Sequence, residues 1–204
     1  MKRTLAVALV LVGAGLAAVA GLGQGELQPV PAAQADRRVA ETRDWVVDVL
    51  WEYTDTFWHV GNYEECIRLC RQCVELDPNF VEAYTSGAWL LSNLNRDVEA
   101  VEMYHEGMSN NPDSPDLWQQ LGLLYHRRHK YAEAVEQFRE AAKRGAPPAW
   151  QRMVPGTLER MGNLEEARQE WREFLKRFPD DPVGKRRLEA LERELQKEKQ
   201  EKEA

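Results

Sequence analysis

The chain has 204 residues, of which 43% are hydrophobic and 30% are charged, and its formal net charge is −7. This length and composition suit one soluble helical domain of about 150 residues behind a separate N-terminal segment. The excess of acidic groups argues against nucleic acid as a partner, because proteins bind the phosphate backbone chiefly through Lys and Arg.

Residues 1–25 have the composition of an export signal. Lys2 and Arg3 precede an uncharged run from Thr4 to Gly25 that is rich in Ala, Val, Leu and Gly. A basic start followed by an apolar stretch is typical of secretory signals, and about 20 apolar residues are enough to span a bilayer. We therefore expect a signal peptide or a single membrane anchor, with the rest of the chain exported to the periplasmic side of the cell envelope.

Residues 26–35 are expected to form a linker, because Pro and Ala dominate this stretch. Two cleavage sites of the small-x-small type are available, at residues 18–20 and at residues 33–35. Cleavage would give a secreted protein, whereas retention of the N-terminal segment would anchor the protein in the membrane. Both outcomes stay open from the sequence.

Residues 47–181 repeat with a period of 34 residues. The copies are residues 47–80, 81–114, 115–147 and, one residue early, 148–181. Internal similarity of this length is typical of helical repeat proteins, in which each unit buries its apolar face against its neighbours. The aligned positions include Pro78 with Pro112, Cys66 with Ala100 and Ala134, and Cys70 with Tyr104 and Phe138.

The pattern within one copy predicts two helices, A and B, joined by a tight turn. In the first copy, Gly61-Asn62 ends helix A with residues that tolerate a left-handed backbone. Residues 63–76 then carry apolar side chains at helical spacing, and Pro78 ends helix B. Four such units are enough for a self-sufficient domain, since about three are needed to bury a continuous core.

Segments on either side of the copies are expected to be helical as well. Residues 36–46 lengthen the first helix A toward the N-terminus. Residues 182–204 carry Leu188, Leu191 and Leu195 on one stripe, which predicts a helix that caps the last copy. A short coiled coil is the alternative for this stripe, although it spans barely one heptad.

The third copy carries the most informative residues. It has Trp118, Leu121, Gly122 and Tyr125 in its first helix, followed by Ala134 and Phe138 in its second. This pattern resembles the tetratricopeptide repeat at its signature positions. The resemblance implies an all-α fold, namely a right-handed superhelical solenoid of antiparallel helix pairs, with about four repeats within residues 36–181. It also implies a protein–protein interaction scaffold with no catalytic activity and no cofactor.

Pro155-Gly156 departs from this pattern in the fourth copy, where it lies inside helix A. An interior proline removes a helix hydrogen bond and clashes with the preceding turn, which costs about 3 kcal/mol. We therefore expect that helix to be kinked or to begin late.

The cysteine triplet, which consists of Cys66, Cys70 and Cys73, has the spacing of the cluster-binding motif in radical enzymes that use S-adenosylmethionine. Those enzymes carry the motif on a loop of an α/β barrel, and this chain shows no alternation of strands and helices. The sister copies have packing residues at the three positions, so we expect reduced, buried thiols. A metal- or redox-active protein that uses the triplet is the alternative function.

In the tetratricopeptide family the A helices line a concave groove, and the corresponding face of this chain is aromatic and acidic. The positions where family members clamp a terminal carboxylate with Lys and with Asn or Arg hold Trp51, Asp55, Trp89, Asp116 and Gln120 instead. A basic and hydrophobic peptide or partner domain is therefore the expected ligand. The predicted groove residues are Trp51, Asp55, Trp58, His59, Trp89, Asn93, Gln119, Leu123, His126 and Arg127. Packing of Trp51 or Trp58 against the N-terminal extension is the alternative.

The charge is unevenly distributed between the copies. The first copy has two Arg against seven acidic residues, the second has one Arg against six, and the third has six basic residues against four acidic. A negative surface over the first two copies would favour basic partners. The alternative is that these charges only keep the protein soluble.

Overall fold

The computed structural model describes residues 32–203, so the predicted signal or anchor over residues 1–25 lies outside the described residues. Within residues 32–203 no helix is both long enough and apolar enough to cross a membrane. Ten α-helices make up this part of the chain, which contains no strand. They are α1 (Ala32–His59), α2 (Tyr63–Leu76), α3 (Val81–Asn93), α4 (Asp97–Asn110), α5 (Pro115–Arg127), α6 (Tyr131–Lys143), α7 (Pro148–Gln151), α8 (Met153–Arg160), α9 (Leu164–Arg177) and α10 (Pro182–Glu203).

The described residues belong to two units, which are divided after Glu41. The described part of the first unit is helical, and Arg37 and Glu41 form an exposed ion pair in it at 2.8 Å. The expected lengthening of the first helix A is confirmed. That helix begins at Ala32, inside the segment predicted as a linker over residues 26–35, because its Ala and Gln residues are strong helix formers.

The helices of residues 42–204 are arranged in consecutive pairs, and each pair is joined by the same tight turn. One residue in each turn has a left-handed backbone: Gly61 (φ 74°), Asn95 (φ 60°), His129 (φ 59°) and Gly162 (φ 77°). These residues occupy one position of the 34-residue repeat, where glycine and asparagine adopt this conformation at the lowest cost. In the first turn the Asn62 side chain also accepts a hydrogen bond from the backbone N–H of Glu65, which caps α2.

Close approach of the paired helices depends on small residues. Gly122 of α5 faces the ring of Phe138 in α6, and a Cβ atom at Gly122 would lie 2.5 Å from Phe138 Cε1. Large side chains recur at one position of the second helix in the later units, and these residues, Tyr104, Phe138 and Trp171, are all buried. Burial of one such ring contributes about 2 to 3 kcal/mol to folding.

Helix A of the fourth unit is broken into α7 and α8, which confirms the expected irregularity around Pro155. The two segments meet at Arg152, so Pro155 becomes the third residue of α8. An N–H group in the first turn of a helix has no intrahelical carbonyl partner, so a proline at that position costs little. The break thus accommodates a proline that would disrupt a continuous helix.

Helix α10 covers the end of the fourth unit, as expected for a capping helix. Leu191 is buried in the second core cluster, and Leu188 and Leu195 pack against the same cluster. Arg187 of α10 is paired with Glu159 of α8, and Glu159 also accepts a hydrogen bond of 2.6 Å from the indole N–H of Trp171. The leucine stripe therefore packs against the core of the same chain.

The fragment 36–204 should fold without the preceding residues, because both core clusters begin at or after Val47. We expect a helical monomer with a cooperative thermal transition, measured by circular dichroism and by light scattering after gel filtration. A disordered fragment, or one that stays soluble only in detergent, would contradict this prediction.

Candidate functional site

A cavity of about 650 Å³ lies between α1 and α3, within residues 42–204, and is called the α1–α3 cavity below. Helix α1 provides one wall, α3 the other, and α2 the floor. Its lining residues are Trp51, Glu52, Thr54, Asp55, Trp58, Cys66, Cys70, Thr85, Ser86, Trp89, Leu90 and Gln120.

Tryptophan side chains dominate the walls of the α1–α3 cavity. The rings of Trp58 and Trp89 lie 5.5 Å apart with an interplanar angle of 35°, and these side chains are 42% and 37% exposed. Trp51 is half-buried. The centroids of its ring and of the Phe80 ring lie 5.0 Å apart in an edge-to-face arrangement. Trp58 and Trp89 therefore place a large apolar surface in contact with solvent, which is a feature of binding sites.

The repeat register explains why a cavity exists at this place. In the third unit Phe138 packs onto Gly122, but the same two positions of the first unit hold Cys70 and Thr54. A cysteine side chain is much smaller than a phenyl ring, so it leaves volume that threonine does not fill. Both Cys70 and Thr54 line the α1–α3 cavity.

Carboxylates are the only ionised groups among the lining side chains that the structure describes. Glu52 and Asp55 are both exposed, and no Lys, Arg or His of residues 32–203 lines the cavity. Asp55 lies 3.5 Å from Nδ1 of His59, the last residue of α1, and both side chains are well exposed. The cavity therefore combines an aromatic interior with a negative rim.

The cysteine triplet forms part of the core, as expected. Burial raises the pKa of Cys70 to about 12 and that of Cys73 to about 11, and it also raises the pKa of Cys66. The Cys66 thiol donates a hydrogen bond of 3.3 Å to the carbonyl of Thr54. Metal ligation and redox chemistry both need the thiolate, which these surroundings disfavour. Within the described residues, no group of three His, Cys, Asp or Glu side chains is arranged to hold a metal ion.

Four of the ten predicted groove residues line the α1–α3 cavity: Trp51, Asp55, Trp58 and Trp89. His59 and Asn93 are exposed at the ends of α1 and α3. Leu123 instead packs against the second core cluster. Arg127 reaches back to α3, where its Nη2 atom lies 3.1 Å from Oγ of Ser92.

His126 belongs to a different part of the surface. It lines a second cavity of about 600 Å³ together with Arg160 and Glu159 of α8. Burial lowers the pKa of His126, and the nearby Arg160 lowers it further. The structure therefore separates His126 from the tryptophans with which the sequence grouped it.

Gln119 is a correction to the predicted groove, because its side chain is only 3% exposed. Helix α5 packs against α3, α4 and α6, and the Gln119 side chain is buried in this arrangement. The next residue, Gln120, lies about 100° further around the helix and lines the α1–α3 cavity. Sequence reasoning also missed the floor, although the small size of Cys70 at a position that is aromatic in the sister copies was a visible signal.

Models of the tetratricopeptide repeat match residues 50–80, 69–102, 103–136 and 157–181. The chain belongs to the tetratricopeptide repeat family. Among curated proteins, the mouse (Mus musculus) Protein O-mannosyl-transferase TMTC3 is 34% identical over 62 residues, which are 30% of this chain and 7% of that protein. This tetratricopeptide repeat protein therefore spans less than a tenth of that relative.

Solved structures share the fold. A tetratricopeptide repeat protein of Thermus thermophilus, TTC0263, superposes with a TM-score of 0.53 and 17% identity, covering 76% of this chain and 86% of that one. The Pseudomonas aeruginosa protein pilF superposes with a TM-score of 0.58 and 17% identity, covering 76% and 72%. The tetratricopeptide fold supports a protein–protein interaction scaffold.

Proposed function

We propose that this chain is a non-catalytic adaptor, exported or membrane-tethered, that holds a peptide or partner domain in the α1–α3 cavity and the groove around it. The observation that carries this proposal is the pair of partly exposed rings, Trp58 and Trp89, at a cavity flanked by Asp55. Tryptophan is enriched among the residues that contribute most to binding, because it buries a large area and loses little conformational entropy.

The exposed tryptophan surface is large enough to matter for affinity. With 42% and 37% exposure, Trp58 and Trp89 each leave on the order of 100 Å² accessible to a partner. Covering that area contributes about 2 to 3 kcal/mol for each ring. A partner with an apolar side chain, or with an apolar stem, would gain this contribution.

The charge of the surface favours a partner that is also basic. Glu52 and Asp55 line the cavity, and each of the first two repeats has a net charge of −5. Like charges across an interface cost free energy, whereas opposite charges accelerate association and select the partner. A hydrophobic and basic segment therefore suits this site better than an acidic one.

The cellular location in this proposal rests on the N-terminal sequence. A basic pair precedes the apolar run of residues 4–25, which is the order found in export signals and in membrane anchors. The repeats would then work on the periplasmic side of a cell envelope, free if the segment is cleaved and tethered if it is retained. Antibody detection of the chain in soluble and membrane fractions, with mass measurement of its N-terminus, tests this part.

Replacing Trp89 by alanine should weaken partner binding by about 2 kcal/mol, because the ring lies at the cavity rather than in the core. The partner is first recovered with the full-length chain from a membrane extract, and its affinity is then measured by calorimetry beside the melting temperature of each variant. Trp45→Ala is the matched control, since Trp45 is 57% exposed on α1 and does not line the cavity.

The control variant should bind with unchanged affinity, and both variants should melt within a few degrees of the parent protein. A large fall in melting temperature for Trp89→Ala with unchanged affinity would assign that ring to the core. The proposed binding surface would then be wrong.

A further inference from the structure

The side chains that line the α1–α3 cavity include several hydrogen-bond acceptors. Its two ionised side chains are the carboxylates of Glu52 and Asp55. Two lining hydroxyl groups already donate within the helix walls, because Thr54 Oγ1 lies 2.5 Å from the Trp51 carbonyl and Thr85 Oγ1 lies 3.1 Å from the Glu82 carbonyl. The oxygens of these groups remain able to accept, so the cavity suits a ligand that donates several hydrogen bonds.

The space between α3 and α5, one repeat further along the chain, shows which group can occupy the position that corresponds to the α1–α3 cavity. Between α3 and α5, Arg127 reaches Ser92 with its guanidinium group at 3.1 Å. In the repeat register, Arg127 corresponds to Asn93 and Ser92 corresponds to Trp58. Asn93 is shorter than arginine and uncharged. The space between α1 and α3 therefore lacks the guanidinium group that Arg127 supplies between α3 and α5.

The same chain shows that a guanidinium group packs well on a tryptophan ring. Arg144 lies over Trp118 with its Cζ atom 4.1 Å from the ring centroid. Arginine stacks on aromatic faces through its planar, weakly hydrated head, while its aliphatic stem covers apolar surface. A lysine head is compact and strongly hydrated, so it gains less from the same surroundings.

We infer that the α1–α3 cavity binds an arginine side chain of the partner, with the stem against Trp58 and Trp89 and the guanidinium group toward Asp55 and Glu52. This inference rests on the proposed function and adds the chemistry that the partner must present. Cation–π contact and the paired charges each contribute modestly at an exposed rim, so the specificity comes from their combination with the apolar walls.

The test compares three small probes that differ only in the side chain: N-acetyl-arginine amide, N-acetyl-citrulline amide and N-acetyl-leucine amide. Citrulline has the shape of arginine without its charge. Binding to the full-length chain is followed by NMR through the indole N–H signals of the tryptophans, which report both affinity and location. The arginine probe should shift the Trp58 and Trp89 signals and bind at least about fivefold more tightly than the citrulline probe.

The double variant Glu52→Gln with Asp55→Asn should lower this preference at least about twofold, since it removes the carboxylate charges and keeps both the shape of the cavity and the cation–π contact. The double variant Glu75→Gln with Asp113→Asn changes the net charge equally at exposed positions outside the cavity, and it should keep the preference.

Equal binding of arginine and citrulline, or a preference that is unchanged by the loss of both cavity carboxylates, would overturn the inference. A leucine probe that binds more tightly at the same tryptophan signals would overturn it as well, but would leave the proposed groove in place. Absence of binding by every probe would also refute it, and the Trp89→Ala measurement on the intact partner would then decide separately whether the groove binds anything.

Discussion

Replacing Gly122 by alanine should lower the free energy of unfolding by about 3 kcal/mol, near the upper end of the range for overpacked cores. The new Cβ atom would lie 2.5 Å from Cε1 of Phe138 and 2.6 Å from its Cδ1. The Phe138 ring is 1% exposed and cannot move aside without disturbing its neighbours. This cost outweighs the gain of about 1 kcal/mol in helix propensity that alanine offers over glycine.

Gly156→Ala is the matched control for this prediction. Gly156 also lies inside a helix, α8, but apart from its chain neighbours and the backbone of its own helix no heavy atom is within 4 Å of the position that its Cβ would occupy. The substitution should therefore stabilise the protein by about 0.5 to 1 kcal/mol. Chemical denaturation of the two variants measures both changes, and a shift of the same sign in both would refute the packing argument.

Raising the pH from 9 to 11 should lower the free energy of unfolding of the protein, and this decrease should exceed that of a variant without the cysteine triplet by on the order of 4 kcal/mol. In the folded chain the pKa of Cys70 is raised to about 12 and that of Cys73 to about 11 by burial, from an ordinary value of 9.0. Above pH 9 the unfolded chain loses these protons while the folded chain keeps them, so ionisation stabilises the unfolded state. Each thiol contributes about 1.4 kcal/mol for every pH unit within this window.

The comparison variant carries Cys66→Ala, Cys70→Met and Cys73→Ala, which keeps small or flexible side chains at the three packing positions. Unfolding is followed by urea titration at each pH, with the thiols kept reduced. Below pH 9 the free energies of unfolding of the two proteins should differ by a constant amount. Above pH 9 the two values should converge or cross. Parallel curves throughout would show that the thiols are not held neutral by the fold.

Most of the architecture could be predicted from the 34-residue period of the sequence. This period predicted the helix pairs, the turn at Gly61, the buried cysteine positions and the capping helix, because these depend on spacing along one chain. A helix needs apolar residues at regular intervals, and a turn needs a residue that accepts a left-handed backbone. Both requirements are local, so they are visible without knowledge of the neighbouring units.

The tertiary structure alone decided which side chains meet at the candidate site. Spacing places Gln119 and Gln120 on one helix, but only the packing of α5 among its neighbouring helices shows that Gln119 is buried and that Gln120 lines the cavity. Likewise, the sequence showed a cysteine where sister copies have aromatic rings, yet the open volume also depends on how far α1 stands from α3. Helical periodicity determines where residues lie around one helix, whereas the stacking of helices determines which side of that helix faces solvent.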